Sequence, residues 1–301
     1  MYKHIINLIL TGFAFTACTS AGTYPPQTPL PSPSKPETTT KGTDLSTRQW
    51  TFNFRNQAHT YYSTSQTTFD SDLSDSAGSK NTVSITTRFT VTINRLQKPI
   101  NIFGHIDSLL FNPGSKIGTD TQKVSMPVYF SGIINSGQLV LNATTKFSTS
   151  AVQIENISCD SPASSLLGEV RGGILLLPSQ LQLSSSWTDT ISTVTCSGSK
   201  VLSSLNIIRF FQIIGERTIG STTALLIKRT EQIYLIGKGA QDQHTIKLEG
   251  EGTGSSEITL DLATGTTLLI AIHQQLRLTV ISSGQTKHFT QRVKQQITLV
   301  P

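Results

Sequence analysis

Residues 268–299 read LLIAIHQQLRLTVISSGQTKHFTQRVKQQITL, and apolar and polar side chains alternate along most of this stretch. The alternation is interrupted at Ser282-Ser283-Gly284-Gln285, whose small residues suit a hairpin turn. Alternation with a period of two leaves one face of a strand buried and the other in water, which is typical of antiparallel sheets. The stretch therefore predicts a β-hairpin with one buried face.

The same alternation recurs at residues 50–54, 82–93 and 124–130. Helical signals are few. Ser161-Pro162 before residues 163–170 predicts one short helix, and residues 105–111 are a weaker candidate. We predict an all-β fold, a large antiparallel sheet forming either a curved half-barrel or a sandwich of meandering hairpins, with at most one or two short helices.

Turn residues divide the predicted strands. Asn135-Ser136-Gly137 and Asp261-Leu262-Ala263-Thr264-Gly265 predict loops between strands. The glycines at 250, 252 and 254 predict a further turn between strands.

The amino-acid composition and the motifs missing from the sequence exclude several classes of function. Hydrophobic residues make up 36% of the 301 residues and charged residues only 14%, a balance that suits an extracytoplasmic β-protein. The chain contains no nucleophile elbow, zinc-protease motif or phosphate-binding loop. Aromatic residues, at 7%, are too dispersed for a nucleic-acid stacking surface. We therefore predict no enzyme activity, no cofactor, no metal site and no nucleic-acid partner.

The first residues have the pattern of an export signal. Lys3 precedes an apolar run from Ile5 to Phe15, which is too short to span a bilayer. Phe15-Thr16-Ala17-Cys18 resembles the bacterial lipobox, in which a cysteine after a small residue is acylated. The resemblance implies a signal peptide at 1–17, a palmitate-type lipid on Cys18 and attachment to the cell envelope. Thr19 and Ser20 resemble the pattern that directs Gram-negative lipoproteins to the outer membrane.

Residues 18–47 hold six of the twelve prolines, followed by a threonine-rich run. Proline-rich segments adopt extended conformations of about 3.1 Å per residue. We predict a lipidated tether at 18–47 and an all-β globular region at 48–301, with a soft boundary near 160–180.

Cys159 and Cys196 remain once Cys18 carries lipid. Two cysteines in an exported chain usually pair, so we predict a disulfide between them.

Residues 201–214 place apolar side chains on both faces of a predicted strand. Such a strand is either central and covered on both sides or faces a ligand cavity. If it faces a cavity, the ligand-binding residues are Leu205, Ile207, Phe211 and Ile213.

Residues 177–196, 250–254, 261–265 and 289–292 resemble uncharacterised bacterial lipoproteins with a tethered all-β domain. More remotely, a long antiparallel sheet on a lipid anchor resembles the half-barrel of lipoprotein carriers and lipid-transfer proteins, which implies binding or carriage of a lipid-like molecule. The chain departs from that pattern in lacking long helices. The alternative is a non-catalytic structural or protein-interaction module of the envelope.

Overall fold

The computed structural model describes residues 48–52, 54, 56–71, 81–96, 98–112, 126–135, 138–144, 163–183, 185–197, 201–241 and 244–301. These residues contain thirteen strands and one helix. The strands are β1 (Gln49–Thr51), β2 (Ala58–Ser71), β3 (Asn81–Asn94), β4 (Ile100–Asn112), β5 (Val128–Asn135), β6 (Gln138–Thr144), β7 (Gln180–Gln182), β8 (Ser186–Ser197), β9 (Val201–Ile219), β10 (Thr222–Gln241), β11 (His244–Asp261), β12 (Thr267–Ser282) and β13 (Gln285–Leu299). The helix, α1, spans Ala163–Arg171.

Eleven of the described strands form one sheet that closes on itself, in the order β10-β11-β12-β13-β2-β3-β4-β5-β6-β8-β9. Neighbouring strands pair antiparallel except β6 and β8, which run parallel over two residue pairs, Gln138 with Thr190 and Leu139 with Ile191. The sheet is thus a curled antiparallel sheet joined at one narrow parallel seam. Strands before and after residues 160–180 belong to this same sheet.

Alternation sets the two faces of the closed sheet. Along β9 the burial pattern alternates strictly from Val201 to Ile213. Most buried apolar residues of the eleven strands belong to one continuous core inside the sheet. Val83 and Ile85 of β3 form a separate small cluster with Leu109. Polar residues such as Arg88 and Thr253 lie on the outer, exposed face. Burial of this apolar face, at about 25 cal/mol per Å², is the main force that closes the sheet.

The parallel seam requires a crossover, because β6 ends at the opposite end of the sheet from where β8 begins. The described part of this crossover is α1 followed by residues 172–178, which have no regular secondary structure. It runs through the interior, since Val170 and Ile174 are fully buried in the core. We call residues 163–178 the internal segment.

The internal segment emerges where β2 begins and β3 ends, and we call this end of the sheet the mouth. There β7 pairs with β1 as a separate two-stranded sheet, with Trp50 opposite Leu181. Both side chains are buried, and the Trp50 indole donates a hydrogen bond of 2.5 Å to Glu216 of β9. This small sheet fixes the course of the chain at the mouth.

The prediction of an all-β, curled antiparallel sheet with few helices is confirmed. The hairpin at residues 282–285 is also confirmed, with Ser283 and Gly284 at positive φ as a two-residue turn requires. The helix predicted after Ser161-Pro162 is α1. Residues 105–111 were a helical candidate, and this prediction is wrong because they belong to β4, pairing with β3 and, at His105 and Ile106, also with β5.

The glycines at 250, 252 and 254 do not form a turn between strands, so that prediction is wrong. They lie in the middle of β11 and point inward. A Cβ on Gly254 would lie 2.5 Å from Glu231 Oε2, and one on Gly250 would lie 2.8 Å from Leu278 Cδ2. Gly250 and Gly254 therefore make room for larger inward side chains on the neighbouring strands, whereas a Cβ on Gly252 would meet the Gln275 backbone carbonyl of β12.

Candidate functional site

The internal segment is held by side chains of the closed sheet that donate hydrogen bonds to its backbone carbonyls. Gln295 donates to the Glu169 carbonyl (3.1 Å), Arg229 to Gly172 (3.3 Å), Arg209 to Ile174 (3.1 Å), Arg95 to Leu175 (2.8 Å) and the Trp187 indole to Leu176 (2.9 Å). A buried carbonyl without a partner costs about 1–3 kcal/mol. The polar side chains inside the sheet therefore serve the backbone of the segment that fills it.

Two of these donors, Arg209 and Arg229, each form an ion pair with an acidic side chain of the closed sheet. Arg209 binds Asp189 through two hydrogen bonds of 2.5 and 2.6 Å, and both side chains are only 1% exposed. Arg229 lies 2.9 Å from Glu231, and its guanidinium also donates to Ser256. Each pair is neutral, so the sheet contributes no net charge at these positions.

Glu231 has a further partner in Gln274, whose amide donates a 2.6 Å hydrogen bond. Burial lowers the pKa of Arg229 to about 10, although the nearby Glu231 carboxylate opposes this shift. Arg229 therefore keeps its charge at neutral pH.

The internal segment brings its own two ionisable groups, Glu169 and Arg171. Burial raises the pKa of Glu169 to about 7, and the Ser65 hydrogen bond and the charge of Arg171 only partly offset this. Burial also lowers the pKa of Arg171 to about 10. With a pKa of about 7, Glu169 changes its protonation near neutral pH.

A cavity of about 120 Å³ lies at the mouth, between the internal segment and the closed sheet. Its polar lining comes from Arg95, from Gln57, and from His59 and Tyr61 of β2. Its apolar and loop lining comes from Phe54, Val91, Ile93, Leu175, Leu177 and residues 264–267. Burial lowers the pKa of His59 and raises the pKa of Tyr61, so both are neutral at pH 7.

Arg95 is the charged group of this cavity. Its guanidinium donates to the Leu175 carbonyl and lies 4.4 Å above the centre of the Phe54 ring. Burial lowers the pKa of Arg95 to about 10, and among the described residues only Tyr61 exerts a charge effect on it. The cavity is therefore positively charged.

The predicted ligand-binding residues Leu205, Ile207, Phe211 and Ile213 all point into the closed sheet and belong to its core. Phe211 stacks on Trp187 with ring centres 4.8 Å apart. None of the four lines the cavity at the mouth. On the outer face of the same strand, Phe210 and Ile214 are exposed, so within the described residues the strand is covered on one side only.

Of the three cysteines predicted to be lipidated or disulfide-bonded, the structure describes only Cys196. Cys18 and Cys159 lie outside the described residues. Cys196 lies in β8 with its backbone opposite Leu202 of β9. Lipidation and the disulfide therefore stay predictions.

The histidines of the last hairpin do not form a cross-strand pair. His273 lies opposite Lys294, and His288 lies opposite Thr279, which it contacts through Nδ1 at 3.1 Å. Within the described ranges, no group of three or more histidine, cysteine or acidic residues is placed to hold a metal ion.

Sequence reasoning missed the internal ion pairs and the cavity at the mouth. A signal for the first existed, because Asp189, Arg209 and Glu231 occupy inward positions in strands whose other inward residues are mostly apolar. The cavity has no such signal, since its lining comes from four separate parts of the chain.

The fold and its interior define a closed, mainly antiparallel sheet filled by its own crossover segment. The helix in the described part of the chain is too short to cross a membrane. No known protein family and no curated protein sequence matches the chain.

Proposed function

We propose that this chain is a lipid-anchored protein of the bacterial cell envelope whose closed sheet is a rigid, non-catalytic module for contact with other envelope components. The N-terminal pattern supports the anchor: an apolar run, then Ala17-Cys18, then a proline-rich tether. One acylated cysteine carrying more than one chain suffices for stable attachment. The tether holds the module away from the membrane surface.

The observation that carries the module hypothesis is the set of five side-chain hydrogen bonds to carbonyls of the internal segment. At the level of Gly172 and Ile174, the space that an acyl chain would occupy is taken by the protein itself. Expelling the internal segment would leave these donors without their carbonyls. A sheet filled in this way favours a role performed on its outer surface.

The outer surface offers apolar side chains for such contact. Phe210 and Ile214 of β9 and Tyr234 and Ile236 of β10 are all at least 39% exposed, and Ile236 reaches 62%. The two strands are neighbours, and Tyr234 lies opposite Asn206 in their register. Exposed apolar groups on adjacent strands are typical of surfaces that contact other molecules.

A carrier of a lipid-like molecule is the second candidate. It is favoured by the apolar inner wall, including Leu205, Ile207, Phe211 and Ile213. It is also favoured by the neutral pairs Asp189–Arg209 and Arg229–Glu231, which would leave no net charge if the internal segment moved out. This function requires that movement.

Native mass spectrometry separates the two candidates. The chain from residue 19 onward, exported behind a cleavable signal peptide without a lipobox and purified from the periplasm, should show only the mass of the bare protein and no saturable binding of a fluorescent fatty acid. Copurified lipid together with saturable probe binding would overturn the module and favour the carrier.

Adjacent residues of β9 supply matched variants. In a filled interior, Phe211→Asp or Ile213→Asp buries a carboxylate and destabilises the fold, whereas Phe210→Asp on the outer face leaves it stable. In a carrier with an empty groove, the charge at Phe211 or Ile213 would weaken probe binding and leave the fold intact. Urea denaturation and probe titration of all three variants distinguish these results.

The contact surface is tested by photo-crosslinking in cells. A photoreactive residue at Ile236 should give a discrete crosslinked product, and one at Arg88, exposed on β3, should not. Equal or absent crosslinking at the two positions would contradict a contact surface on β9 and β10.

A further inference from the structure

We infer that the cavity at the mouth is a binding site for a small carboxylate with a short apolar tail. The inference is independent of the proposed module function, because it concerns the inside of the mouth and neither the outer surface nor the anchor. It is carried by three features of the cavity: its size, the positive charge of Arg95, which is the one Lys or Arg among its described lining residues, and the division of that lining into polar and apolar parts.

The positive charge of Arg95 indicates that the ligand is negatively charged. Arg95 presents five N–H donors, of which the structure assigns one to the Leu175 carbonyl. No carboxylate of the described residues pairs with Arg95, in contrast to Arg209 and Arg229, which each have an acidic partner. A partly buried guanidinium facing a cavity without a counter-ion favours an anion.

The guanidinium is also held in a fixed orientation. Its face lies on the Phe54 ring, and its bond to Leu175 ties it to the internal segment. The remaining N–H groups lie in the guanidinium plane, which matches the two oxygens of a carboxylate. A preorganised arginine of this kind loses little side-chain entropy when it binds an anion.

Volume selects the size of the ligand. A protein cavity of about 150 Å³ holds a molecule of the size of benzene. A cavity of about 120 Å³ therefore holds about five or six non-hydrogen atoms, which corresponds to a short-chain carboxylate. Acyl chains of membrane lipids are too long to fit.

The apolar residues of the cavity favour a ligand whose carboxylate carries a short hydrocarbon tail. Val91 and Ile93 of β3 face Leu175 and Leu177 of the internal segment across the cavity. A three-carbon tail placed between them would be removed from water, which favours binding in proportion to the apolar area buried. Hydrated inorganic anions cannot gain this term, so the site should favour butyrate over chloride or phosphate.

The test uses butyrate as the probe and the chain from residue 19 onward, which retains every strand of the closed sheet. Titration followed by nuclear magnetic resonance of methyl groups should show saturable shifts at Val91, Leu175 and Leu177. The neutral isostere butyramide should bind at least about tenfold more weakly, because it lacks the charge that Arg95 recognises.

Substitutions at and away from the cavity distinguish butyrate binding at Arg95 from nonspecific binding to the protein surface. Arg95→Met should lose at least about tenfold in butyrate affinity, and Arg95→Lys should retain part of it. Arg88→Met, which removes an exposed charge from β3, the strand that precedes Arg95, should leave the affinity unchanged. Should Arg95→Met fail to fold, Ile93→Phe provides a second route, since it fills the cavity with Arg95 in place and should abolish binding.

Equal binding of butyrate and butyramide, or butyrate shifts that survive Ile93→Phe, would overturn the site. Shifts spread over the outer face instead of the mouth would overturn it as well. None of these results bears on lipid copurification or on crosslinking at Ile236, so failure of the site and failure of the module are distinguishable.

Discussion

Replacing Arg209 by methionine removes one of the five side chains that donate hydrogen bonds to the internal segment, at a position that is fully buried. The substitution keeps an unbranched chain of similar length and deletes the two hydrogen bonds to Asp189 and the one to the Ile174 carbonyl. Asp189 is 4% exposed and would be left without a counter-ion. Removing one partner of a buried ion pair costs about 3–5 kcal/mol.

The double variant Asp189→Leu with Arg209→Met tests whether that cost comes from the stranded carboxylate. It deletes both charges and leaves only the Ile174 carbonyl without its donor, a cost of about 1–3 kcal/mol. The double variant should therefore be more stable than Arg209→Met alone. Arg292→Met is the control, because its ion pair with Asp70 is exposed and worth at most about 1 kcal/mol.

Urea denaturation followed by tryptophan fluorescence is the assay. Trp187 is a suitable reporter, because its indole donates to the Leu176 carbonyl and its ring stacks on Phe211. A typical domain has a free energy of unfolding of about 5–15 kcal/mol, so Arg209→Met should shift the midpoint strongly. A loss below about 1 kcal/mol, or a double variant no more stable than the single one, would refute the reasoning.

Three further predictions concern pH and the two covalent modifications. Burial raises the pKa of Glu169 from 4.5 to about 7, so the stabilisation of the protonated form is complete below pH 4.5 and is lost as the pH rises through about 7. Compared with Glu169→Gln, the wild-type protein should therefore lose stability across this window in urea denaturation, and parallel pH profiles would contradict the burial of the carboxyl group. Cys18→Ser should abolish labelling by radioactive fatty acid and release the protein from the membrane fraction or leave it unprocessed, while undiminished labelling would remove the lipoprotein hypothesis. Cys159 and Cys196 should be linked in non-reducing peptide maps of envelope protein, where a bridge would contribute about 4 kcal/mol in the chain-entropy model, and free thiols at both positions would refute it.

The alternation of side chains predicted the strands well, because burial of one face is a local property that the sequence displays directly. The last hairpin is an example, with Phe289 and Ile297 inside and Lys294 outside. The glycines of β11 misled the prediction, because a glycine cluster normally marks a turn. Here the glycines pack against Glu231 and Leu278 of neighbouring strands, and such contacts depend on the register of the whole sheet.

The site was predicted less well than the fold, for a related reason. Leu205 and Phe211 were predicted to share an inner face, and they do, but the sequence contains no sign that the chain would fill the interior with residues 163–178. A crossover is required by the parallel seam between β6 and β8, which rests on only two residue pairs, and its course through the interior depends on the packing of the whole sheet. Arg95 likewise acquires its partners from residues 41 and 80 positions away along the chain.

Hydrogen exchange of the internal segment, followed by mass spectrometry, tests the central claim most directly. Amides of α1, together with those of Gly173 and Ile174, which donate to the Val170 and Arg171 carbonyls, lie inside the closed sheet. If the segment is a permanent part of the interior, peptides covering residues 167–174 should exchange as slowly as those of β9 and β12. Exchange as fast as that of the exposed turn at Ser283-Gly284, with β9 and β12 still protected, would show that the segment leaves the sheet and would contradict the account.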